Sequence, residues 1–285
     1  MPGFSFRRLI GGVPLAYRLR RRWQWSRPLS LPQYTAGTPS IDGTGPQDIF
    51  LPPNPATLAA AAQEATQPVE EILARMTQTD QIAAVQLYYR SAREKFGERW
   101  RYADILTTLW AAATLGSPKS YLEIGVRTGR SAAVVGATSP SCDIYGFDLW
   151  TEDYAGADNP GPDFVRDELH SVGHAGSVTL VSGDSSKTLG PFLAERPDLY
   201  FDLIAIDGDK SIRVASSDFA NALPRLKVGG IVVCDDIFLV PHLERIWHDV
   251  IRRDARYVHW QFAQGGIGIA AAVRMSDGPL DARDF

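Results

Sequence analysis

Carboxylates follow the ends of two apolar runs in this sequence, at spacings that could hold a cation beside a hydroxylated ligand. In IDGDKS, Asp207 and Asp209 come directly after FDLIA, and Lys210 follows them. Asp235 and Asp236 end another apolar run, GGIVVC. If these runs are neighbouring strands, the acids meet at one edge and raise one another's pKa values. A hard divalent cation such as Mg²⁺ would relieve the repulsion; acids satisfied by helix N-termini and lysines are the alternative.

A second group of glycines and acids follows the earlier apolar runs. Gly125 and Gly129, after SYLEI, remove side chains where a ligand would approach the backbone, although Arg127 departs from a dinucleotide G-x-G-x-x-G loop. Asp148 ends the next run about 20 residues later, where its two oxygens could accept both hydroxyls of a ribose. Asp184 ends the third run and could accept from an adenine amino group. The alternative for both acids is a solvated strand end.

The elements that must position these residues follow an alternating rhythm. From Ser120 onward, the runs SYLEIGV, CDIYGFDL, SVTLVSGD, FDLIAIDG and GGIVVCDD alternate with helical segments. This is typical of βαβ units, which give parallel strands buried on both faces and a ligand crevice at their carboxyl ends. RYVHWQF and GIGIAAAV are too close for a crossover helix and predict an antiparallel hairpin. We expect an α/β fold: a doubly wound, Rossmann-like seven-stranded sheet with an antiparallel terminal hairpin, plus N-terminal helices.

The chain divides into three predicted regions. Residues 1–55 form a basic arm and a Pro/Gly-rich linker, with seven arginines and no acid before position 42. Residues 56–118 form an N-terminal helical region of helix-forming segments broken at Pro68, and residues 119–285 form the sheet domain. The arm is either a poorly ordered tail or a contact with an anionic membrane surface.

Composition narrows the class of protein. The net charge is −4 over 285 residues, and we expect no nucleic-acid partner. Cys142 and Cys234 cannot build a disulfide framework and are typical of core residues in a reduced compartment. The longest apolar run, ILTTLWAAATLG, is too short to cross a bilayer, and no apolar segment of a secretory signal follows the arginines. We therefore expect a cytoplasmic protein that acts on a small molecule or glycan, with its oligomeric state open.

The motifs together resemble a known family. YLEIGVRTGRS, the acid at Asp148, GDSS, and IDGDKSIRVASSDFANALPRLKVGGIVVCDDI are similar to class I S-adenosylmethionine-dependent methyltransferases, within them the macrolide sugar O-methyltransferases. The resemblance covers residues 100–272 and implies S-adenosylmethionine as the cofactor of residues 119–285. It implies a ribose contact at Asp148 and an adenine contact near Asp184. The cofactor-binding residues predicted on this basis are Glu123, Gly125, Gly129, Ser131, Asp148, Asp184 and Ser185.

The same resemblance implies the metal ligands. Relatives hold Mg²⁺ with acids at the positions of Asp207, Asp235 and Asp236. A cation that binds an acceptor hydroxyl would lower the pKa of that hydroxyl and fix its oxygen in line with the sulfonium methyl. Methyl transfer would then depend mainly on alignment.

The general base is open at this stage. IDGD is often followed by His in relatives, whereas this chain has Lys210, which could accept a proton or pair with the acids. Asp209 and a metal-bound Asp207 compete for the role, and His174 or His242 could reach the site from loops. The predicted catalytic residues are Asp207, Asp209 and Lys210.

The sequence thus predicts a Mg²⁺-assisted O-methyltransferase acting on a hydroxyl of a sugar-bearing or natural-product small molecule. The loop after Asp148, with Trp150 and Tyr154, is a candidate substrate lid, although both aromatics could equally be packing residues. The alternatives are a metal-independent methyltransferase, a relative with other chemistry such as the cephalosporin-hydroxylase-like proteins, and a non-catalytic partner protein docked through the arginine-rich arm.

Overall fold

The apolar runs form one mixed sheet in the computed structural model, which describes residues 53–97, 99–151, 159–263 and 267–277. The strand order is β3-β2-β1-β4-β5-β7-β6. Strands β1 to β5 pair in parallel, and β7 is antiparallel to both β5 and β6. This confirms the predicted doubly wound sheet and its terminal hairpin. The strands are β1 Ser120–Ile124, β2 Asp143–Asp148, β3 Val178–Ser182, β4 Phe201–Ile206, β5 Leu226–Asp235, β6 Tyr257–Phe262 and β7 Ile269–Arg274.

Helices precede the sheet and cover both of its faces. Four of them come before β1, and the others connect the strands. A 3-10 turn precedes β5, and a π-helical turn, His248–Arg252, extends the last helix. The helices are α1 Pro55–Glu64, α2 Thr66–Leu73, α3 Asp80–Phe96, α4 Ile105–Gly116, α5 Arg130–Thr138, α6 Pro162–Ser171, α7 Ser185–Ala194, α8 Ile212–Ala222 and α9 Pro241–Trp247.

Two of the sequence predictions about the N-terminal part have different outcomes. The helical segments are present, but the break between α1 and α2 falls at Ala65, so its prediction at Pro68 was wrong. Pro68 lies in the first turn of α2, where a backbone N–H has no partner within the helix and its absence costs little. The basic arm, its membrane contact and Tyr154 lie outside the described residues.

Alternation along the strands builds a core on each face of the sheet. Leu122 and Ile124 of β1 pack in one apolar cluster, and Tyr121 packs in another. This is the period-2 pattern of a strand buried on both faces. Cys142 and Cys234 are buried and free, as core cysteines should be.

The N-terminal helices pack against α5, the helix that follows the β1 loop. Their apolar residues, including Leu73 and Tyr89, form a third cluster with Ala133 and Val134 of α5. Trp100 and Tyr102, between α3 and α4, pack on the same cluster, so burial of this surface fixes that segment against α5. Within the part of the chain described, no helix is both long and apolar enough to span a bilayer.

Candidate active site

Three aspartates meet where β4 and β5 end. The two strands pair in parallel with Ile206 opposite Cys234, so the residues that follow each strand lie side by side. One carboxylate oxygen from each of Asp207, Asp235 and Asp236 lies within 4.8 Å of the other two. The structure therefore brings together the three acids that the sequence placed at strand ends.

The charge of this cluster is only partly compensated. Lys210 Nζ lies 2.6 Å from Asp207 Oδ1 and 3.2 Å from Asp236 Oδ2. Burial raises the pKa of Asp207, and Lys210 opposes that shift. Burial, followed by the charges of Asp207 and Asp236, raises the pKa of Asp235 well above its usual value. Three close oxygen donors with excess negative charge fit a hard divalent cation.

Lys210 is held as a cation in this arrangement. Burial alone would lower its pKa, but the carboxylates of Asp207 and Asp236 outweigh burial and raise that pKa. A neutral lysine that accepts a proton would require those carboxylates to be neutralised by another positive charge. Without such a charge, the ion-pair alternative describes Lys210.

Asp209 does not join the cluster. Its side chain is exposed, and its Oδ1 accepts a hydrogen bond of 2.7 Å from the backbone N–H of Ser211, the N-cap residue of α8. This contact stabilises the loop after β4. The sequence could not distinguish Asp209 from Asp207, because both follow the same strand.

Neither histidine considered as a base faces the carboxylates. His174 is buried, and its Nε2 lies 2.7 Å from the carbonyl oxygen of Cys142. Cys142 directly precedes β2, so this contact lies at the amino ends of the parallel strands, opposite the carboxylates. The expectation that His174 could reach the site was wrong for this reason. His242 Nε2 lies 2.5 Å from the carbonyl oxygen of Lys210, so His242 holds the backbone of the lysine loop.

The two loop glycines are required by contacts within the protein. A Cβ on Gly125, where φ is +93°, would lie 2.3 Å from the carbonyl oxygen of Asp207. A Cβ on Gly129, where φ is +76°, would lie 3.0 Å from a methyl carbon of Val165. The sequence had given ligand approach as the reason for both glycines; here protein atoms already fill the space beside each Cα. Gly125 thereby joins the β1 loop directly to the carboxylate cluster.

Glu123 supplies a buried carboxyl group at the end of β1. Ser131 Oγ donates to its Oε1, and the hydroxyl of Tyr121 lies close to the carboxyl group, but Oε2 has no hydrogen bond of good geometry among the residues described. Burial raises the pKa of Glu123 to about 8. An orphaned oxygen of this kind, beside a glycine loop and the start of α5, fits a polar ligand group.

Asp148 is oriented by the two turns on either side of it. Its Oδ2 accepts from the backbone N–H of Arg127 at 2.7 Å, and its Oδ1 accepts from that of Trp150 at 2.6 Å. A carboxylate oxygen can accept further hydrogen bonds, so these contacts fix the group without exhausting it. Trp150 itself packs against the core, which agrees with the packing alternative for this residue.

Asp184 serves as a helix cap. Its Oδ1 accepts from the N–H of Ser186 at 3.0 Å, and its Oδ2 lies 3.2 Å from Lys187 Nζ and 3.5 Å from Arg213. The hydroxyl of Ser186 is the main cause that lowers the pKa of Asp184 to about 2. Ser185 beside it is buried. The adenine contact of both residues remains a prediction.

Sequence reasoning missed a group of interacting side chains on and around the segment between α3 and α4, which packs against α5. Tyr89 Oη donates to Asp104 Oδ2 at 2.5 Å, and the stacked rings of Trp100 and Tyr102 lie 5.2 Å apart. Burial, and to a smaller extent the charges of Asp104 and Asp235, raise the pKa of Tyr102. Asp104 and Thr107 form a capping box at the start of α4, and this D-x-x-T spacing was a readable signal.

Known proteins resemble this chain in sequence family and in fold. Residues 122–237 match the family model described as a methyltransferase domain. No match was found among curated proteins. The O-methyltransferase TomG from Streptomyces achromogenes, solved with S-adenosylmethionine and described as involved in tomaymycin synthesis, is 19% identical, with a TM-score of 0.52 over 70% of this chain and 100% of its own.

Two further solved structures are similar at lower TM-scores. CalS11, described as a calicheamicin methyltransferase, is 23% identical over 74% of this chain and 91% of its own, with a TM-score of 0.47. An O-methyltransferase from Bacillus cereus, solved with S-adenosylhomocysteine, is 18% identical over 74% of this chain and 97% of its own, with a TM-score of 0.49. The shared fold is therefore argued from TomG.

Proposed function

We propose that the chain is a class I S-adenosylmethionine-dependent O-methyltransferase assisted by a divalent cation; the match of residues 122–237 to the methyltransferase-domain model supports the methyl-transfer part. One observation carries the proposal. Carboxylate oxygens of Asp207, Asp235 and Asp236 lie within 4.8 Å of one another, and among the described residues only Lys210 forms an ion pair with them. Such a cluster beside the β1 loop suits a cation next to the methyl donor.

The three aspartates would hold the cation, which we take to be Mg²⁺. When bound, it supplies Lewis-acid polarisation of the acceptor hydroxyl, which lowers the pKa of that hydroxyl. Asp235 is the key ligand, since Lys210 contacts the other two acids and leaves Asp235 without an ion-pair partner in the described chain. The carboxylates orient the acceptor oxygen, and orientation is the main requirement of a methyl transfer.

Lys210 is the proposed proton acceptor. Of the predicted bases outside the metal ligands, Lys210 alone contacts the cluster, because Asp209 is turned outward and His242 binds the lysine's carbonyl. Once Asp207 and Asp236 are neutralised, nothing in these contacts holds the lysine pKa up, and burial lowers it. The ammonium would then release its proton and the amine would take that of the acceptor.

S-adenosylmethionine is proposed to lie along the β1 loop and the end of β2. The orphaned Oε2 of Glu123, with Ser131 at the start of α5, would face the methionine portion, and Gly125 and Gly129 shape the loop. Asp148, fixed by two backbone N–H groups, would accept the ribose hydroxyls. The adenine would lie towards two further residues, Asp184 and Ser185.

The acceptor is proposed to be a hydroxyl of a sugar-bearing or natural-product small molecule. TomG is described as involved in tomaymycin synthesis, and we extend that type of acceptor to this chain by analogy. The test is incubation with labelled methyl donor and small-molecule or glycan extracts, with and without Mg²⁺, followed by mass spectrometry. We expect methyl transfer that chelation abolishes. Unchanged turnover after thorough chelation would exclude a role for the cation. Failure to bind S-adenosylmethionine in calorimetry would exclude the proposed methyltransferase function.

Metal-independent methyl transfer is the second candidate, because Lys210 already compensates Asp207 and Asp236 in the structure. Chelation separates these two candidates. Lys210→Arg separates the two roles of the lysine, since arginine keeps the positive charge but does not give it up. A base at this position predicts that Lys210→Arg and Lys210→Met are equally inactive. If Lys210→Arg instead retains most of the turnover, Lys210 serves as a charge partner only.

A further inference from the structure

Arg130 is a half-buried cation whose side chain has no hydrogen-bond acceptor in the part of the chain that the structure describes. It is the first residue of α5, directly after Gly129 of the β1 loop. No hydrogen bond or ion pair joins its guanidinium to any residue that the structure describes. The charges of Asp104 and Asp207 act on its guanidinium, and the nearby Arg127 adds to the local positive charge.

The two nearby carboxylates are already engaged by other donors. Asp104 accepts 2.5 Å from Tyr89 Oη and 3.0 Å from the N–H of Thr107. Asp207 accepts 2.6 Å from Lys210 Nζ. Among the described residues, neither acid forms an ion pair with Arg130. A guanidinium stays charged and has five N–H donors, so leaving it partly desolvated without acceptors costs free energy that a ligand oxyanion would recover.

The surroundings of Arg130 indicate what kind of ligand would supply the oxyanion. The β1 loop that leads into Arg130 lies against the carboxylate cluster, because a Cβ on Gly125 would lie 2.3 Å from the carbonyl oxygen of Asp207. Trp100 and Tyr102 pack on the apolar cluster that includes residues of α5, the helix that Arg130 begins. Tyr102 is stacked on Trp100 with an interplanar angle of 12°. An arginine and an aromatic wall thus flank the carboxylate cluster, an arrangement that suits a ring carrying an acidic group.

We propose that Arg130 binds a carboxylate or phosphate of the methyl acceptor, so that the acceptor is an acidic hydroxylated molecule. This rests on the proposed function and names the acceptor class for the same site. The guanidinium fork would bind the oxyanion through two parallel hydrogen bonds and hold the acceptor hydroxyl at the cluster. The same oxyanion chemistry could come from the amino-acid end of the cofactor, and the experiment separates the two sources.

The experiment measures binding to the full chain preloaded with S-adenosylhomocysteine and Mg²⁺. The probes are glucuronate and glucose 6-phosphate against glucose, and 3,4-dihydroxybenzoate against 3,4-dihydroxybenzyl alcohol, each by calorimetry. We expect at least one acid to bind about tenfold or more tightly than its neutral partner, the scale of a charge-assisted hydrogen bond. Arg130→Gln should abolish that preference, and Arg130→Lys should keep part of it, because lysine is a point charge without the fork.

Controls keep the outcome specific to the acceptor. Arg196→Gln removes an exposed arginine at the end of α7, far from the cluster, and should leave the preference unchanged. S-adenosylhomocysteine and 5′-methylthioadenosine, which lacks the amino-acid portion, are titrated in parallel into wild type and Arg130→Gln. If only S-adenosylhomocysteine binds more weakly to the variant, Arg130 serves the cofactor carboxylate and the acceptor assignment is overturned.

Two further results would also overturn the proposal. One is a wild type that prefers none of the acids; the other is a preference that persists in a folded Arg130→Gln variant. Neither touches the proposed methyl transfer, which depends on cofactor binding and turnover. Conversely, a wild-type chain that does not bind S-adenosylhomocysteine would contradict the proposed methyltransferase function itself.

Discussion

At the carboxyl ends of β2 and β3, Asp148 and Asp184 are surrounded by donors, whereas at the ends of β4 and β5 the aspartates face one another. Two backbone N–H groups reach Asp148, and hydroxyl, amide and cationic groups reach Asp184, whose pKa falls to about 2. Across the crevice, burial raises the pKa values of Asp207 and Asp235. The same residue type at equivalent strand ends thus has opposite electrostatics.

This difference separates two kinds of ligand. A carboxylate that is ionised and fixed by donors is a rigid acceptor for hydroxyl or amino groups, which suits a nucleoside. Crowded carboxylates cannot all ionise without a counter-charge, which suits a cation. Gly125, pressed against the carbonyl of Asp207, holds the two halves at a fixed separation.

Asp235→Asn should have the largest effect. Of the three clustered aspartates at the ends of β4 and β5, here called the crowded half, Asp235 is the one without an ion-pair partner among the described residues. We expect turnover to fall by about 100-fold or more, the scale of Lewis-acid assistance, while the affinity for S-adenosylhomocysteine changes by less than about threefold. Labelled methyl transfer and calorimetry measure the two quantities. Asp198→Asn, an exposed acid before β4, is the control. Parallel losses of turnover and cofactor affinity would contradict the separation of the halves.

Asp148→Asn should have the next largest effect, on the cofactor alone. Loss of a charge-assisted acceptor of the ribose predicts about 10- to 100-fold weaker binding of S-adenosylhomocysteine.

Asp184→Ala should instead reduce the free energy of unfolding by about 1 kcal/mol, since Asp184 caps α7, with a smaller effect on affinity. Calorimetry and denaturant unfolding distinguish the two. If Asp184→Ala weakens binding as much as Asp148→Asn does, the main role of Asp184 is the adenine contact and not the capping of α7.

Much of this arrangement was predictable, because strand periodicity fixes which residues reach the crevice. Continuous apolar runs predicted parallel strands, and parallel strands deliver their carboxyl ends to one edge, so Asp207, Asp235 and Asp236 were expected to meet. The terminal hairpin followed from the short connection between its two runs. These features depend on local sequence patterns and on connection rules that allow only a few chain topologies.

What the sequence did not predict depends on side-chain direction and on contacts between distant segments. Asp209 differs from Asp207 only in the direction of its side chain after the strand. The reason for Gly125 is a backbone 82 positions away, at Asp207, which no local pattern contains. Nothing in the sequence singled out Arg130, because one arginine after a glycine loop has no periodic signal. That its side chain has no partner among the described residues is visible only in three dimensions.

Glu123 lies on β1, between the two halves, and offers a smaller, pH-dependent effect. Burial raises its pKa in the folded protein from 4.5 to about 8. Between these values the unfolded chain has lost the proton while the folded chain keeps it, so the free energy of unfolding falls by about 1.4 kcal/mol per pH unit as pH rises. Glu123→Gln should make the fall with pH shallower by this amount in the cofactor-free protein, while Asp207, Asp218 and Asp235, whose pKa values burial also raises, keep their own contributions. Denaturant unfolding from pH 5 to 8 measures the difference. The exposed Glu195→Gln is the control; an unchanged slope in Glu123→Gln would mean that Glu123 ionises normally.

Asp209→Asn should have the smallest effect, and it tests where the crowded half ends. Asparagine can still accept from the N–H of Ser211, so the loop contact of 2.7 Å survives and unfolding should change by less than about 0.5 kcal/mol. Turnover should change by less than about threefold, because removing the charge of an exposed carboxylate outside the cluster perturbs the acids only weakly through screened solvent. A large loss of turnover, with a pH profile that loses its lower limb, would restore Asp209 as the base. The group of acids that acts in catalysis would then include an exposed carboxylate, and would not be confined to the buried aspartates at the ends of β4 and β5.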